Sequence, residues 1–359
     1  MIGQLYLRDR DPDNDGIFDK KNGLENGRTR IISMKTGSGQ PISSEKGVDF
    51  APASISADGR YVVFSSLAID LVGTLFDDTN GASDVFLWDR EVSKIALISY
   101  ADGLNQTADR ASTNPKISAD GNYIVFESLA TNLVSTSMTV DIPKVYICKR
   151  SDPANTMQWV GYDEFSWIFE PLFEQKWPSL SATGRFVTFQ CNTTTHYETW
   201  GGYGPDTNGS PDIYKIDLDG NSDGDYTDDE NWVPLRASIP TNGAELPSGV
   251  CDSTENVPPA ISGDGRFVVF ASSSIFLTQG ASPAYSDDNG SIYDIFRHDF
   301  DTGVTTLLSA QVNGVQAFLD SRKPRISSDG RRIIFRSKAS NLQAGDTNGD
   351  TDVFLWGPE

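Results

Sequence analysis

One ten-residue phrase recurs five times along the chain, and no other feature restricts the fold as much. It first reads Ile55-Ser56-Ala57-Asp58-Gly59-Arg60-Tyr61-Val62-Val63-Phe64. It returns at Ile117 to Phe126, Leu180 to Phe189, Ile261 to Phe270 and Ile326 to Phe335. Its glycines fall at 59, 121, 184, 265 and 330, so the intervals are 62, 63, 81 and 65 residues. A near-constant period means one supersecondary unit used repeatedly.

Each unit has the same internal grammar. A Pro-led strand (Pro52 to Ser56) meets an Asp-Gly turn, where glycine can adopt the positive φ of a tight hairpin. A β-branched and aromatic strand follows (Tyr61 to Ser65), then a loop, then a third strand (Asp84 to Arg90) and a fourth (Lys94 to Ser99). Third strands are expected again at Lys144 to Arg150, Asp212 to Asp217, Asp294 to Asp299 and Asp352 to Trp356. No stretch holds an apolar period of 3.6, so helices should be minor. Four antiparallel strands per unit, repeated radially, describe an all-β fold, the β-propeller. A solenoid is the rival, but its repeats are usually shorter, at ~20–47 residues.

The phrase Ile-Ser-x-Asp-Gly-Arg-x-Val-Val-Phe closely resembles the WD40-like repeat of TolB-type bacterial propellers. The resemblance covers nearly the whole chain and implies the propeller fold. It says little about activity, because propellers host unrelated functions. Residues 1–359 then form a single domain, with units near 1–33 (partial), 52–99, 115–165, 178–238, 258–309 and 324–356. Gln4 to Arg10 matches a third strand and Thr29 to Ser33 a fourth, while the last unit stops after its third strand. The spacing predicts twenty-one strands in six blades, the first lacking its two inner strands as in a truncated chain. The alternative is five blades, with Thr29 to Ser33 completing the last and Gln4 to Arg10 left over.

Charge narrows the partners. Lys and Arg number 29 against 50 Asp and Glu, a net charge of −21, which disfavours nucleic acid and anionic membranes. No run approaches the ~18 apolar residues of a membrane span, and Met1-Ile2-Gly3-Gln4 opens no signal peptide. The three cysteines allow at most one bridge, Cys191–Cys251 being a possible pair.

The sharpest chemical signal is the stretch from Asp219 to Glu230. Calcium needs six to eight oxygens, and a twelve-residue loop offers them from positions 1, 3, 5, 7, 9 and 12. Gly224 at position six sets the register: Asp219, Asn221, Asp223, the Asp225 carbonyl, Thr227 and Glu230 become the ligands. This EF-hand-like loop lacks flanking helices. A shorter copy offers Asp11, Asp13, Asp15, Ile17 and Asp19 around Gly16, with Asn22 in place of the closing Glu. The competing reading is two solvated acidic hairpins, against which stands the self-repulsion of so many carboxylates. Four loops of the form Asp-(Thr/Asp)-Asn-Gly, at 78, 206, 287 and 346, read as Asx-turns whose first Asp accepts backbone N–H bonds.

Seven aromatics from Trp159 to Trp177, together with His196-Tyr197-Glu198-Thr199-Trp200, mark a ligand-binding candidate comprising Trp167, Trp177, His196, Tyr197, Glu198 and Trp200. Aromatics beside carboxylates can stack on sugars or anchor a protein. The plainer reading is aromatic packing between blades. No catalytic residue is assigned. Only two histidines occur, no Gly-x-Ser-x-Gly elbow is present, and His298 fills the slot of Trp88 and Trp356. The expectation is a non-enzymatic calcium-binding propeller at the cell surface, in the periplasm or secreted, which binds a protein or carbohydrate. A polysaccharide-acting glycosidase or lyase is the alternative.

Overall fold

The computed structural model describes residues 4–11, 28–34, 53–72, 80–101, 107–135, 142–160, 174–192, 210–227, 232, 234–243, 257–278, 292–311 and 314–358. Among the described residues there is no helix, and the strands form six antiparallel sheets. The first pairs β1 (Tyr6–Asp9) with β2 (Arg28–Ile31). The second runs β3 (Ser54–Ile55), β4 (Tyr61–Ser66), β5 (Asp84–Asp89), β6 (Lys94–Leu97). The third is β7 (Ser112–Ile117), β8 (Tyr123–Ser128), β9 (Lys144–Lys149), β10 (Gln158–Trp159). The fourth is β11 (Gln175–Leu180), β12 (Phe186–Cys191), β13 (Asp212–Asp217), β14 (Pro234–Arg236). The fifth is β15 (Ala260–Ile261), β16 (Phe267–Ser272), β17 (Asp294–Asp299), β18 (Val304–Leu307). The sixth has β19 (Ser321–Ile326), β20 (Ile333–Ser337) and β21 (Asp352–Trp356).

The described strands number twenty-one, with the third strands where the spacing placed them. The first strands β7, β11 and β19 begin three residues before their prolines, Pro115, Pro178 and Pro324, whereas the first and fourth strands of the second sheet are shorter than their sequence patterns. Ser56 leaves β3 to build the turn, and Ser99 lies beyond β6 with its hydroxyl on Asp84, 2.7 Å away. β2 lies against β1, Tyr6 opposite Ile31, and not against β21, so Thr29 to Ser33 does not complete the last sheet.

The repeated phrase builds one bonding pattern. At its first copy the Gly59 N–H donates to the Ser56 carbonyl at 2.9 Å. Ser56 Oγ donates to Asp58 Oδ1 at 2.5 Å and accepts from the Tyr61 N–H at 3.0 Å. Arg60 then crosses the hairpin to Asp89, as Arg185 does to Asp217 and Arg266 to Asp299. Glycine is required twice over at Gly265. Its φ is +76°, and a Cβ there would lie 2.1 Å from Phe186 Cδ2 of the preceding sheet.

These turns are also joined to one another. Ala57 N–H donates to the Ala119 carbonyl, Ala119 to Ala182, Ala182 to Gly263 and Gly263 to Ser328, at 2.8 to 3.0 Å. Four equivalent links between five equivalent turns draw the first strands of sheets two to six towards a common axis.

Burial follows from the stacking of sheets in chain order. One face of each β4-type and β5-type strand meets the sheet before, the other the sheet after. Val62 and Phe64 pack with Ile32 and Leu7, whereas Val63 and Val85 pack with Ile124 and Phe126. An aromatic pair recurs at each junction: Phe64–Phe86 at 5.9 Å, Phe126–Tyr146 at 6.0 Å, Phe189–Tyr214 at 6.5 Å, Phe270–Phe296 at 6.0 Å and Phe335–Phe354 at 5.7 Å. The two end faces differ. Tyr6 on the first sheet and Ile334, Val353 and Leu355 on the sixth are exposed, Val353 to 68%.

Candidate functional site on the fourth sheet

The fourth sheet carries one candidate feature at each end. At the Asp-Gly turn end, the 219–227 loop continues from β13, where Asp217 lies opposite Phe186. Asp219 is buried, and its Oδ1 accepts the Gly224 N–H at 3.0 Å, with Gly224 at φ +86°. Asn221 Oδ1 accepts the Asp223 N–H at 3.0 Å, and Asp223 Oδ1 the Asp225 N–H at 2.8 Å. Thr227 Oγ1 donates to Asp225 Oδ1 at 2.8 Å. The loop is therefore a chain of Asx-type turns closed on Asp219.

Protein cations face its carboxylates. Lys149 at the end of β9 pairs with Asp225, and Arg185 Nη1 lies 3.6 Å from Asp219 Oδ2. Burial opposes ionisation of Asp225, but the bonds from Lys149 and Thr227 outweigh it and hold its pKa below the usual carboxylate value. Tyr226 stacks on Tyr123 of β8 at 4.6 Å, so the loop is pinned to the third sheet. The expected repulsion is thus partly relieved by the chain itself. Among the described residues no group of three or more His, Cys, Asp or Glu lies close enough to hold a metal ion. Glu230 and, from the shorter loop, Asp13, Asp15, Ile17 and Asp19 lie outside the described residues. Asp11 is described, with its N–H on Asp9 Oδ1 at 3.2 Å.

The opposite end of the third and fourth sheets departs from the repeat. A bulge between Lys176 and Ser179 puts Trp177 at φ +60°, and equivalent bulges place Asn114 at +52° and Lys323 at +57°. Trp177 donates its N–H to Glu127 Oε2 at 3.0 Å, while Glu127 Oε1 accepts from Thr113 Oγ1 at 3.2 Å. The enclosed Trp177 Nε1 has no hydrogen-bond partner among the described residues. Trp167, His196, Tyr197, Glu198 and Trp200 lie outside them, as does Cys251. Trp159, first in the aromatic run, forms β10 and packs between sheets, where the plainer reading put it.

Sequence reasoning passed over Lys144. It stands where the other sheets have Asp84, Asp212 and Asp294, each accepting a serine hydroxyl, from Ser99, Ser238 and Ser309 respectively. In the third sheet Gln175 fills the gap, accepting from the Val145 N–H at 3.1 Å and Trp159 Nε1 at 2.8 Å. The Lys144 ammonium lies 5.0 Å from the Trp159 ring centroid, and burial pushes its pKa down to about 8. The signal was present: Asp begins four of the five aligned third strands and Lys the fifth.

One Asx-turn loop is described whole, and there the acceptor is the Asn and not the first Asp: Asn348 Oδ1 takes the Asp350 N–H at 2.7 Å, while Asp346 Oδ1 has no partner among the described residues. Asn80 Oδ1 likewise takes the Ala82 N–H at 2.5 Å, and Asp78 and the loops at 206 and 287 lie outside the described residues. His298 lies opposite Val268, the register of Trp88 opposite Val62 and Trp356 opposite Ile333. Thr305 Oγ1 donates to the Ile239 carbonyl at 2.5 Å, so it accepts from His298 Nδ1 at 2.9 Å. Burial lowers the His298 pKa to about 4, which keeps the ring neutral.

No family model and no curated protein matches the chain. Solved structures are similar to it at low identity. A putative TolB from Agrobacterium tumefaciens shares 15% identity at a TM-score of 0.46, over 92% of this chain and 80% of that one. An oligogalacturonate lyase in complex with manganese shares 12% at 0.48, over 92% and 69%. The β-propeller domain of the Trilobed protease from Pyrococcus furiosus shares 11% at 0.45, over 94% and 73%. The chain is an all-β protein of four-stranded antiparallel sheets whose structural neighbours include TolB-like and β-propeller proteins.

Proposed function

We propose that the chain is a non-enzymatic, single-domain six-bladed propeller, an extracytoplasmic module for binding or scaffolding a protein or glycan, stabilised by calcium. The observation that carries the binding role is the contrast between the ends of the sheets. The Asp-Gly turns repeat one bonding pattern, while the opposite end holds Asn114, Trp177 and Lys323 at equivalent bulges. A scaffold held constant at one end and varied at the other is how a fixed fold presents a site. The aromatic residues Trp167, Trp177, Tyr197 and Trp200, with His196 and Glu198, are the proposed contacts. The exposed faces of the first and sixth sheets are the proposed closure of the ring.

Calcium is proposed at Asp219, Asn221, Asp223, the Asp225 carbonyl, Thr227 and Glu230, and at Asp11, Asp13, Asp15, Ile17 and Asp19. The register supports this: Gly224 has the positive φ that position six needs, and its N–H already bonds the position-one Asp219. Asp225 offers only its carbonyl at position seven, so its side chain is free to pair with Lys149. Extracellular calcium suits sites of this kind. Titration of the chelator-treated protein with calcium should raise its melting temperature, and Asp223→Ala should abolish most of the rise. No shift, or an equal shift in the variant, would leave Lys149 and Arg185 as the loop's only cations.

A specific observation keeps one alternative alive, a polysaccharide-acting enzyme: Glu127 sits beside Trp177 at the divergent end. Reducing-sugar release from a glycan, lost in Glu198→Gln, would favour it.

A further inference from the structure

A strand at the edge of a sheet presents unpaired backbone groups unless another strand covers it. In five of the six sheets an outer strand (β2, β6, β10, β14 or β18) covers the third-position strand, and one residue of that strand receives it each time. The carbonyls of Leu5, Val85, Val145, Ile213 and Ile295 accept the N–H groups of Ile32, Ile98, Val160, Ala237 and Leu308 respectively, at 2.7 to 2.9 Å. The N–H of the same residue is taken as well. It donates to Oγ of Ser33, Ser99, Ser238 or Ser309 at 2.9 to 3.1 Å, and in the third sheet to Gln175 Oε1 at 3.1 Å. Each of these serines donates in turn to the side chain one position earlier, Gln4, Asp84, Asp212 or Asp294.

Val353 of β21 is the sixth equivalent. Ser337 lies opposite Asp352 as Ser66 lies opposite Asp84, so the Val353 N–H and carbonyl point away from β20, as those of Val85 point away from β4. Among the described residues no strand lies on that side of β21, and neither group of Val353 is bonded there. Asp352 accepts the Asn348 amide at 3.3 Å in place of a serine. Val353 is exposed, whereas Val85 and Ile295 are buried. A cavity of about 590 Å³ runs along this edge, lined by Asp352 to Leu355 and by the loop 343–348. In the second sheet the asparagine of that loop, Asn80, donates to the Ala108 carbonyl, whose own N–H bonds the Ser99 carbonyl. Every group that receives an outer strand elsewhere is therefore present at β21.

The five outer strands define what fits. The residue that donates its N–H is apolar and buried in all of them, from Ile32 to Leu308. The residue before it is Ile31, Leu97, Trp159 or Leu307 in four, and a serine follows in four. None of these strands carries an acidic residue. A net charge of −21 repels a second copy of the chain, whose own outer strands are already paired, and favours a neutral or basic segment. We propose that β21 binds an extended segment of a partner protein, neutral or basic, in which two apolar residues precede a serine. The segment adds to the sixth sheet as an antiparallel strand, with its serine on Asp352 and the Val353 N–H. This goes beyond the binding role proposed above and uses none of those contact residues, so either can fail without the other.

Fluorescence anisotropy of a labelled peptide with the sequence of residues 303–310, titrated with the full chain, tests it. Saturable binding is expected. It should be lost when the peptide carries Leu308→Pro, which removes the donor N–H, and weakened about tenfold when it carries Ser309→Ala. These two peptides carry the test with the protein unchanged. Asp352→Ala in the protein should weaken the serine peptide by a similar factor and leave the alanine peptide as it was, which separates β21 from any other edge. The proposal is overturned if the peptide does not bind, if the proline peptide binds equally well, or if binding is indifferent to Asp352. It is also overturned if sedimentation shows a dimer that Val353→Pro dissociates, which would give the edge to a second copy.

Discussion

The two ends of the same strands obey different rules. At the Asp-Gly end, all five copies of one phrase make the same glycine-to-serine backbone bond, four of them the same serine–aspartate bond with Thr183 replacing the acid in the third, and each turn is tied to the next. At the other end the equivalent bulged positions hold Asn114, Trp177 and Lys323, and the aligned positions on the second strands hold Ser65, Glu127, Gln190 and Arg336. The difference shows where repetition is enforced by packing and where it is not. A turn glycine is fixed by its positive φ and by the ring pressed against it. A bulged residue need only tolerate its backbone, so its chemistry is free to vary.

The strongest way to break this contrast is at the turn. Gly265→Ala should destabilise the protein by about 3 kcal/mol, since the new methyl meets Phe186 in a conformation that L-residues disfavour. Urea denaturation checks it, and a loss near zero would show that the turn end is not rigidly specified.

Two buried lysines, one at each end, sharpen the comparison by pH. Lys215 donates to the Gly265 carbonyl at 3.1 Å beside the turns, and Lys144 lies at the divergent end; burial lowers both pKa values to about 8. Each binds its proton less tightly folded than unfolded. Unfolding therefore takes up protons above about pH 8, and stability should rise from there towards pH 9.5, by on the order of 1 kcal/mol per lysine. Tyr146, whose buried phenol resists ionisation, acts in the opposite sense: above its ordinary value of about 10 the unfolded chain gives up that proton first, so stability falls there. Denaturation at pH 7.5 and 9.5 gives the gain, and Lys215→Met should remove the share belonging to the turn end. A flat profile in the parent protein would refute it.

The smallest effect is expected at the bulge. Lys323→Gly relieves a non-glycine residue at φ +57° and should stabilise by roughly 0.5–1 kcal/mol, the reverse sign to the turn glycine. A loss of stability would mean that the lysine side chain holds the bulge.

Legibility in the sequence follows the same division. The five-fold phrase specified the turns and the strand order within each sheet, because a hairpin is a local object with local chemistry. The choice between six and five sheets needed the pairing of β2, a long-range fact that composition does not encode. The bulges were hidden for another reason: Asn114, Trp177 and Lys323 share a backbone but no side-chain property, and only the following proline is common to them. Lys149 and Arg185 were equally invisible as partners of the acidic loop, since they reach it from another sheet and another hairpin.

The links from Ala57 through Ala119, Ala182 and Gly263 to Ser328 also bear on folding order. Each closes a segment of 62 to 81 residues, whereas the hairpins on either side close segments many times shorter. Chain entropy makes the short closures fast and the long ones late. The sheets can thus form as separate hairpins before any of them is registered against its neighbour. The axial seam is then the last part to set, and the state just before it exposes one aromatic face per sheet, a collection of sticky surfaces awaiting one another.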